Sequence, residues 1–184
     1  MQIKDAPAGY GWLSIGLHWA NAVAVVMLWF IGNKMTGAAV TEPEAAELLR
    51  VHTSVAVTVY ALVWARIVWR LYAGHPQGLP DQGRVPFLIA RTVHYTLLIT
   101  LAVMLISGPL QVWLAGEAIG FYDLGSIPSP FAPSAGLQAI LATAHRWGGN
   151  ALLGLALVHM TGAARQLVFA EGETARRMTA PTGR

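Results

Sequence analysis

The chain has 184 residues, 55% of them hydrophobic and 11% charged, with a net charge of +3 and no cysteine. So apolar a composition excludes an ordinary soluble domain and fits a multi-span membrane protein. The absence of cysteine excludes disulfides, Cys-ligated iron–sulfur clusters and covalent cofactor attachment through C-x-x-C-H, and no nucleic-acid partner is expected.

Residues 1–10 read as a short polar tail, with Tyr10 and Trp12 at a membrane interface. The first apolar span covers about 11–32 and carries His18, with Asn21 a turn later. No small-residue cleavage site follows it, so no cleavable signal peptide is expected. Residues 33–47 form a polar loop with three glutamates (Glu42, Glu44 and Glu47) and a helix start at Thr41. The second span covers about 48–72, with His52 near its beginning and Arg66 and Arg70 near its end. The connection 74–81, which holds His75, is made of breaker residues. The third span covers about 86–113, with His94 early and a kink expected at Pro109. A long loop, 115–135, carries Pro128, Pro130 and Pro133. The fourth span covers about 136–169 and carries His145 and His159, and a charged tail follows. The expected fold is all-α: an integral membrane four-helix bundle forming a single domain over residues 1–184.

Orientation follows from Lys and Arg. With both termini on one side, that side collects Lys4, Arg66, Arg70, Arg84, Arg91, Arg165, Arg176, Arg177 and Arg184. The other side holds Lys34, Arg50 and Arg146. Both termini are therefore expected in the cytoplasm, with the loops after spans one and three facing outward.

The two histidines of span four are the strongest functional signal. They lie fourteen residues apart, which on a helix is about 21 Å of rise and within about 40° of the same face. An imidazole in lipid is costly and marks function by default. Depth then pairs the rings. His18 and His159 fall in the inner half, and His52 and His145 in the outer half. Two imidazoles from different helices at each depth suit two b-type haems held by bis-histidine ligation. His94 also lies in the inner half and competes with His18 as partner of His159. Fourteen residues beyond His18, His94 and His52 lie Gly32, Gly108 and Arg66. The glycines would leave space for a macrocycle at the outer depth, as would Gly148, Gly149 and Gly154 in the wall of span four. Arg66 would face an inner propionate. Arg70, Arg91, Arg50 and Arg146 are further candidate propionate partners.

Several stretches together resemble the bacterial cytochrome b561 family. They are Leu17-His18-Trp19, Val51-His52-Thr53-Ser54 followed by Ala65-Arg66-Ile67-Val68-Trp69-Arg70-Leu71, Ala90-Arg91-Thr92-Val93-His94-Tyr95 with Ser107-Gly108, Ile127-Pro128-Ser129-Pro130, the His145/His159 spacing, and Ala175-Arg176-Arg177-Met178. The likeness covers nearly the whole chain and extends to the b-type cytochrome subunits of membrane hydrogenases and formate dehydrogenases. Two features depart from the family pattern: Arg146 stands where an acidic residue is common, and Val55-Ala56-Val57 lacks a common glycine.

The resemblance implies axial pairs His18/His159 and His52/His145, two haem b groups and a place in the bacterial inner membrane among lipid. It implies quinone-linked electron transfer, as a superoxide:ubiquinone or quinol oxidoreductase. Arg91 and His94 are then candidates for a haem edge or quinone site. The alternative is a membrane-anchor subunit that discharges a periplasmic dehydrogenase or other redox protein docked on the loop 115–135.

Overall fold

Four apolar stretches become four long helices because hydrocarbon leaves a chain no other way to satisfy its backbone. A computed structural model describes residues 2–74, 76–77, 83–169 and 176–181. The helices are α1 (Trp12–Met35), α2 (Glu42–Ala73), α3 (Arg84–Leu114) and α4 (Ala135–Phe169). All four are long and apolar enough to cross a membrane. Only 6% to 22% of each spanning window is buried inside the protein. Trp19, Phe30, Ile99, Ile140 and Val158 are each more than half exposed. A soluble fold would bury such residues; here they are the surface offered to lipid.

The helix ends outrun the apolar runs because local chemistry, not hydropathy, terminates them. At the start of α2, Thr41 is the N-cap. Its backbone N–H and its hydroxyl both donate to Glu44 Oε2, at 3.1 and 2.9 Å. The Glu44 arm is that of a capping box. At the end of α3, Gly116 adopts φ +87°. Its N–H donates to Trp113 O at 3.0 Å, and Glu117 N–H to Val112 O at 3.2 Å, which is a Schellman stop. Pro109 lies inside α3, and the helix continues through it.

The polar N-terminal residues are not a loose tail. They fold back over the start of α1. Trp12 N–H donates to Gln2 O and Leu13 N–H to Ile3 O. Asp5 accepts from Gly11 N–H at 2.8 Å and from the Ser14 hydroxyl at 2.7 Å. The orphan donors of the first turn are thus supplied from upstream. The loop after α3 also holds more structure than its composition suggested. A two-stranded antiparallel hairpin, β1 (Ile119–Phe121) and β2 (Gly125–Ile127), pairs Ile119 with Ile127 and Phe121 with Gly125.

The chain divides into two compact units, and each helix contributes a segment to both. One takes in Met1–Asn21, Leu62–Ile99 and Gly154–Arg184. The other takes in Ala22–Ala61 and Thr100–Leu153. In the first unit, Gln77 N–H donates to Pro7 O, Arg177 Nη1 to Gln77 O at 2.9 Å and Trp19 Nε1 to Met178 O at 2.8 Å. Residues near both chain ends are thereby tied down.

A Cβ at Gly11 would run into the backbone carbonyls of Ile3 and Lys4. Gly11→Ala should therefore release the N-terminal segment at a cost of about 1–3 kcal/mol. Faster proteolysis of residues 2–10 and a lowered unfolding temperature in detergent are the expected readouts. An unchanged cleavage pattern would contradict this packing.

Candidate functional site

Each unit brings two of the sequence-predicted histidines side by side, with their ring planes steeply inclined. In the first, His18 on α1 and His159 on α4 have ring centroids 6.0 Å apart and planes at 71°. His94 on α3 also meets His159, at 5.0 Å and 67°. In the second, His52 on α2 and His145 on α4 are 6.4 Å apart with planes at 80°. His75 lies outside the described residues.

The cations near the first pair are tied to named partners. Arg66 Nη2 lies 2.9 Å from His18 Nδ1, and Nη1 lies 3.5 Å from Ser14 O. Arginine has no acceptor and stays protonated, so in this contact it donates and His18 Nδ1 accepts. Arg70 donates to the Tyr10 hydroxyl at 3.0 Å and lies over the Tyr10 ring. Arg91 is exposed and lies over the Tyr95 ring one turn along its own helix. Ser14, which gives its proton to Asp5, accepts from Trp69 Nε1 at 2.7 Å. Asp5, Ser14 and Trp69 thus brace the wall behind Arg66; of the three the sequence had marked only Trp69, as part of the stretch 65–71 and without this role.

The second pair is framed differently. Ser107 Oγ lies 3.1 Å from His145 Nδ1, while the buried His52 ring is directed at the Leu28 backbone. The two glycines picked out by the fourteen-residue offset sit behind the rings themselves. A Cβ at Gly32 would lie 3.4 Å from His52 Cε1, and one at Gly108 3.1 Å from His145 Cε1. The imidazole rings thus lie against both glycines, more tightly at Gly108. Gly148 in turn admits the Met104 sulfur, while a Cβ at Gly154 would meet nothing.

Of the two cations flanking this pair, Arg50 grips Glu47 at 2.7 Å and Asp123 at 3.3 Å. Arg146 is exposed and lines a shallow crevice with Ala142, Thr143 and Trp147. The hairpin closes on α2 beside His52. Ser54, fully buried, donates to Arg50 O and accepts from Tyr122 N–H, both at 2.7 Å. The Tyr122 hydroxyl lies 3.2 Å from Thr58 Oγ1. Tyr122 holds φ +49°, a conformation unfavourable for a bulky residue, and these contacts keep it there.

Among the described residues, no group of three or more His, Cys, Asp or Glu side chains is arranged to hold a metal ion. Facing imidazole pairs instead suit a metal whose remaining ligands arrive with a cofactor.

Four apolar helices of this length define a multi-pass integral membrane protein. Comparison of the chain with known families is more specific. The sequence profile described as prokaryotic cytochrome b561 matches residues 9–181, and the chain belongs to that family of membrane b-type cytochromes, which bind haem and transfer electrons. It is similar to cytochrome b561 homolog 2 of Escherichia coli (strain K12), with 26% identity over 179 residues, 97% of this chain and 95% of that protein.

Ser54→Ala removes the acceptor for Tyr122 N–H. Leaving that donor without its partner costs about 1 kcal/mol or more. Hydrogen exchange at residues 119–127 should accelerate about five- to tenfold, with residues 2–11 unaffected. Unchanged exchange in the hairpin would show that Ser54 does not hold it.

Proposed function

We propose that the chain holds two b-type haems, one between His18 and His159 and one between His52 and His145. We propose further that it carries electrons across the bacterial cytoplasmic membrane in exchange with quinone. The observation that carries this reading is the ring spacing. Imidazoles sharing one metal have each ligating nitrogen about 2 Å from it and each centroid roughly 1.2 Å further back, which puts the centroids roughly 6.4 Å apart. The pairs stand at 6.0 and 6.4 Å. His94 and His159, at 5.0 Å, are too close to share an iron. The spacing therefore favours His18 as the partner of His159 and leaves His94, with Arg91, as the proposed haem-edge or quinone site.

Bound haem supplies a one-electron iron couple whose potential responds to its axial ligands, their hydrogen bonds and the dryness of the site. The chain's own contribution is to grip, orient and neutralise. Arg66 and Arg70 place two cations in the unit that holds His18 and His159, and with Arg91 they are the proposed propionate partners there. In the other unit Arg146 is the proposed partner. Arg50 serves only by exchanging Glu47 or Asp123 for a propionate. The excess of Lys and Arg on one side supports cytoplasmic termini.

His145→Ala should halve the bound haem and leave the spectrum of the inner site, and His159→Ala should do the converse. Loss of both haems from either change, in a protein that still folds, would contradict two separate sites. The purified chain alone should reduce quinone with superoxide, or oxidise quinol. Turnover only with an added periplasmic redox protein would make it an electron-transfer subunit.

A further inference from the structure

Behind His145 sits an arrangement that fixes which of its nitrogens is bare. Ser107 is 2% exposed, and its Oγ lies 2.7 Å from Val103 O and 3.1 Å from His145 Nδ1. A hydroxyl has one proton, and a carbonyl can only accept, so the contact with Val103 takes it. Ser107 therefore meets His145 with a lone pair, and Nδ1 must carry the imidazole hydrogen. A neutral imidazole has only one such hydrogen, which leaves Nε2 bare. The next residue fixes the ring's place. A Cβ at Gly108 would lie 3.1 Å from His145 Cε1 and 3.6 Å from Nδ1, a contact so tight that the ring would have to give way by a few tenths of an ångström. The neighbour of His18 is of another kind: Arg66 can only donate to His18 Nδ1, so a bare Nε2 for ligation requires Arg66 to exchange the ring for a propionate.

We propose that Ser107 and Gly108 are a positioning pair for His145. Ser107 holds the Nδ1–H form and so presents a bare Nε2 for metal binding. Gly108 sets where the ring stands. The inference rests on the proposed ligation by His145. It goes further in assigning a specific support to one of the two sites. An Nδ1–H that donates to a neighbour makes the imidazole a stronger donor to a metal, which favours the oxidised iron.

The test uses the haem-loaded protein, with the two components resolved by redox titration and low-spin electron paramagnetic resonance. The component missing from His145→Ala identifies the site. In Ser107→Ala, the midpoint of that component should rise while the other stays fixed. Ser107→Thr, which keeps the hydroxyl, should return it close to the wild-type value. Gly108→Ala should shift the resonance of the same component, or empty that site alone. If His145→Ala keeps its full haem content, ligation by His145 falls and this inference falls with it. If His145→Ala loses one haem but Ser107→Ala moves neither midpoint, or moves both equally, the positioning role alone is overturned. Ser107→Thr shifting as far as Ser107→Ala overturns it too, and an unaltered resonance in Gly108→Ala removes the part assigned to Gly108.

Discussion

A buried hydroxyl with one proton and spare lone pairs is the interaction that recurs at three cross-element contacts of this protein. Ser14, Ser54 and Ser107 are 4%, 0% and 2% exposed. Each gives its proton to a short-range acceptor: the Asp5 carboxylate, the Arg50 carbonyl and the Val103 carbonyl. Each then accepts from a donor on another element: Trp69 Nε1, Tyr122 N–H and His145 Nδ1. Lipid offers no competing water, so a donor left alone there costs more than the bond itself contributes. Serine is also small enough to let helices approach closely. The same side chain thus closes the gap between backbones and decides the orientation of what lies across it.

The two imidazole pairs share a spacing but not a setting. His18 has a guanidinium against its Nδ1 and a second histidine, His94, near its partner ring. His145 has a serine lone pair, and both rings of the His52/His145 pair are backed by glycine. On the proposed ligation, two sites with the same axial residues would differ in the basicity of a ligand and in local charge. Those are the levers by which a protein separates the potentials of like cofactors. A family that transfers electrons needs such a difference if flow between two centres is to have a direction.

Much of this was legible in the amino-acid order. Hydropathy located the four helices, because apolar length is a strong signal. Depth along the spans paired His18 with His159 and His52 with His145, which the structure brings together, and the fourteen-residue offset put Arg66 at the depth of the first pair and the two glycines level with the second. The offset could not say that the rings of His52 and His145 themselves would lie against Gly32 and Gly108. The hairpin was missed because three-residue strands rich in Gly and Ser carry no alternation. The fold-back of residues 2–10 was missed because its contacts are mostly backbone, which any sequence can make. Ser107 entered only as part of the Ser107-Gly108 resemblance, without a role of its own: a serine in an apolar helix reads as packing until its neighbours are known.

The amount of haem bound per chain tests the central claim most directly. Pyridine haemochrome assay of the purified wild-type protein against its amino-acid content should give two b-type haems per chain, with both low-spin in the oxidised and reduced states. One haem per chain, or a five-coordinate high-spin component in the intact protein, would contradict bis-histidine ligation at both pairs.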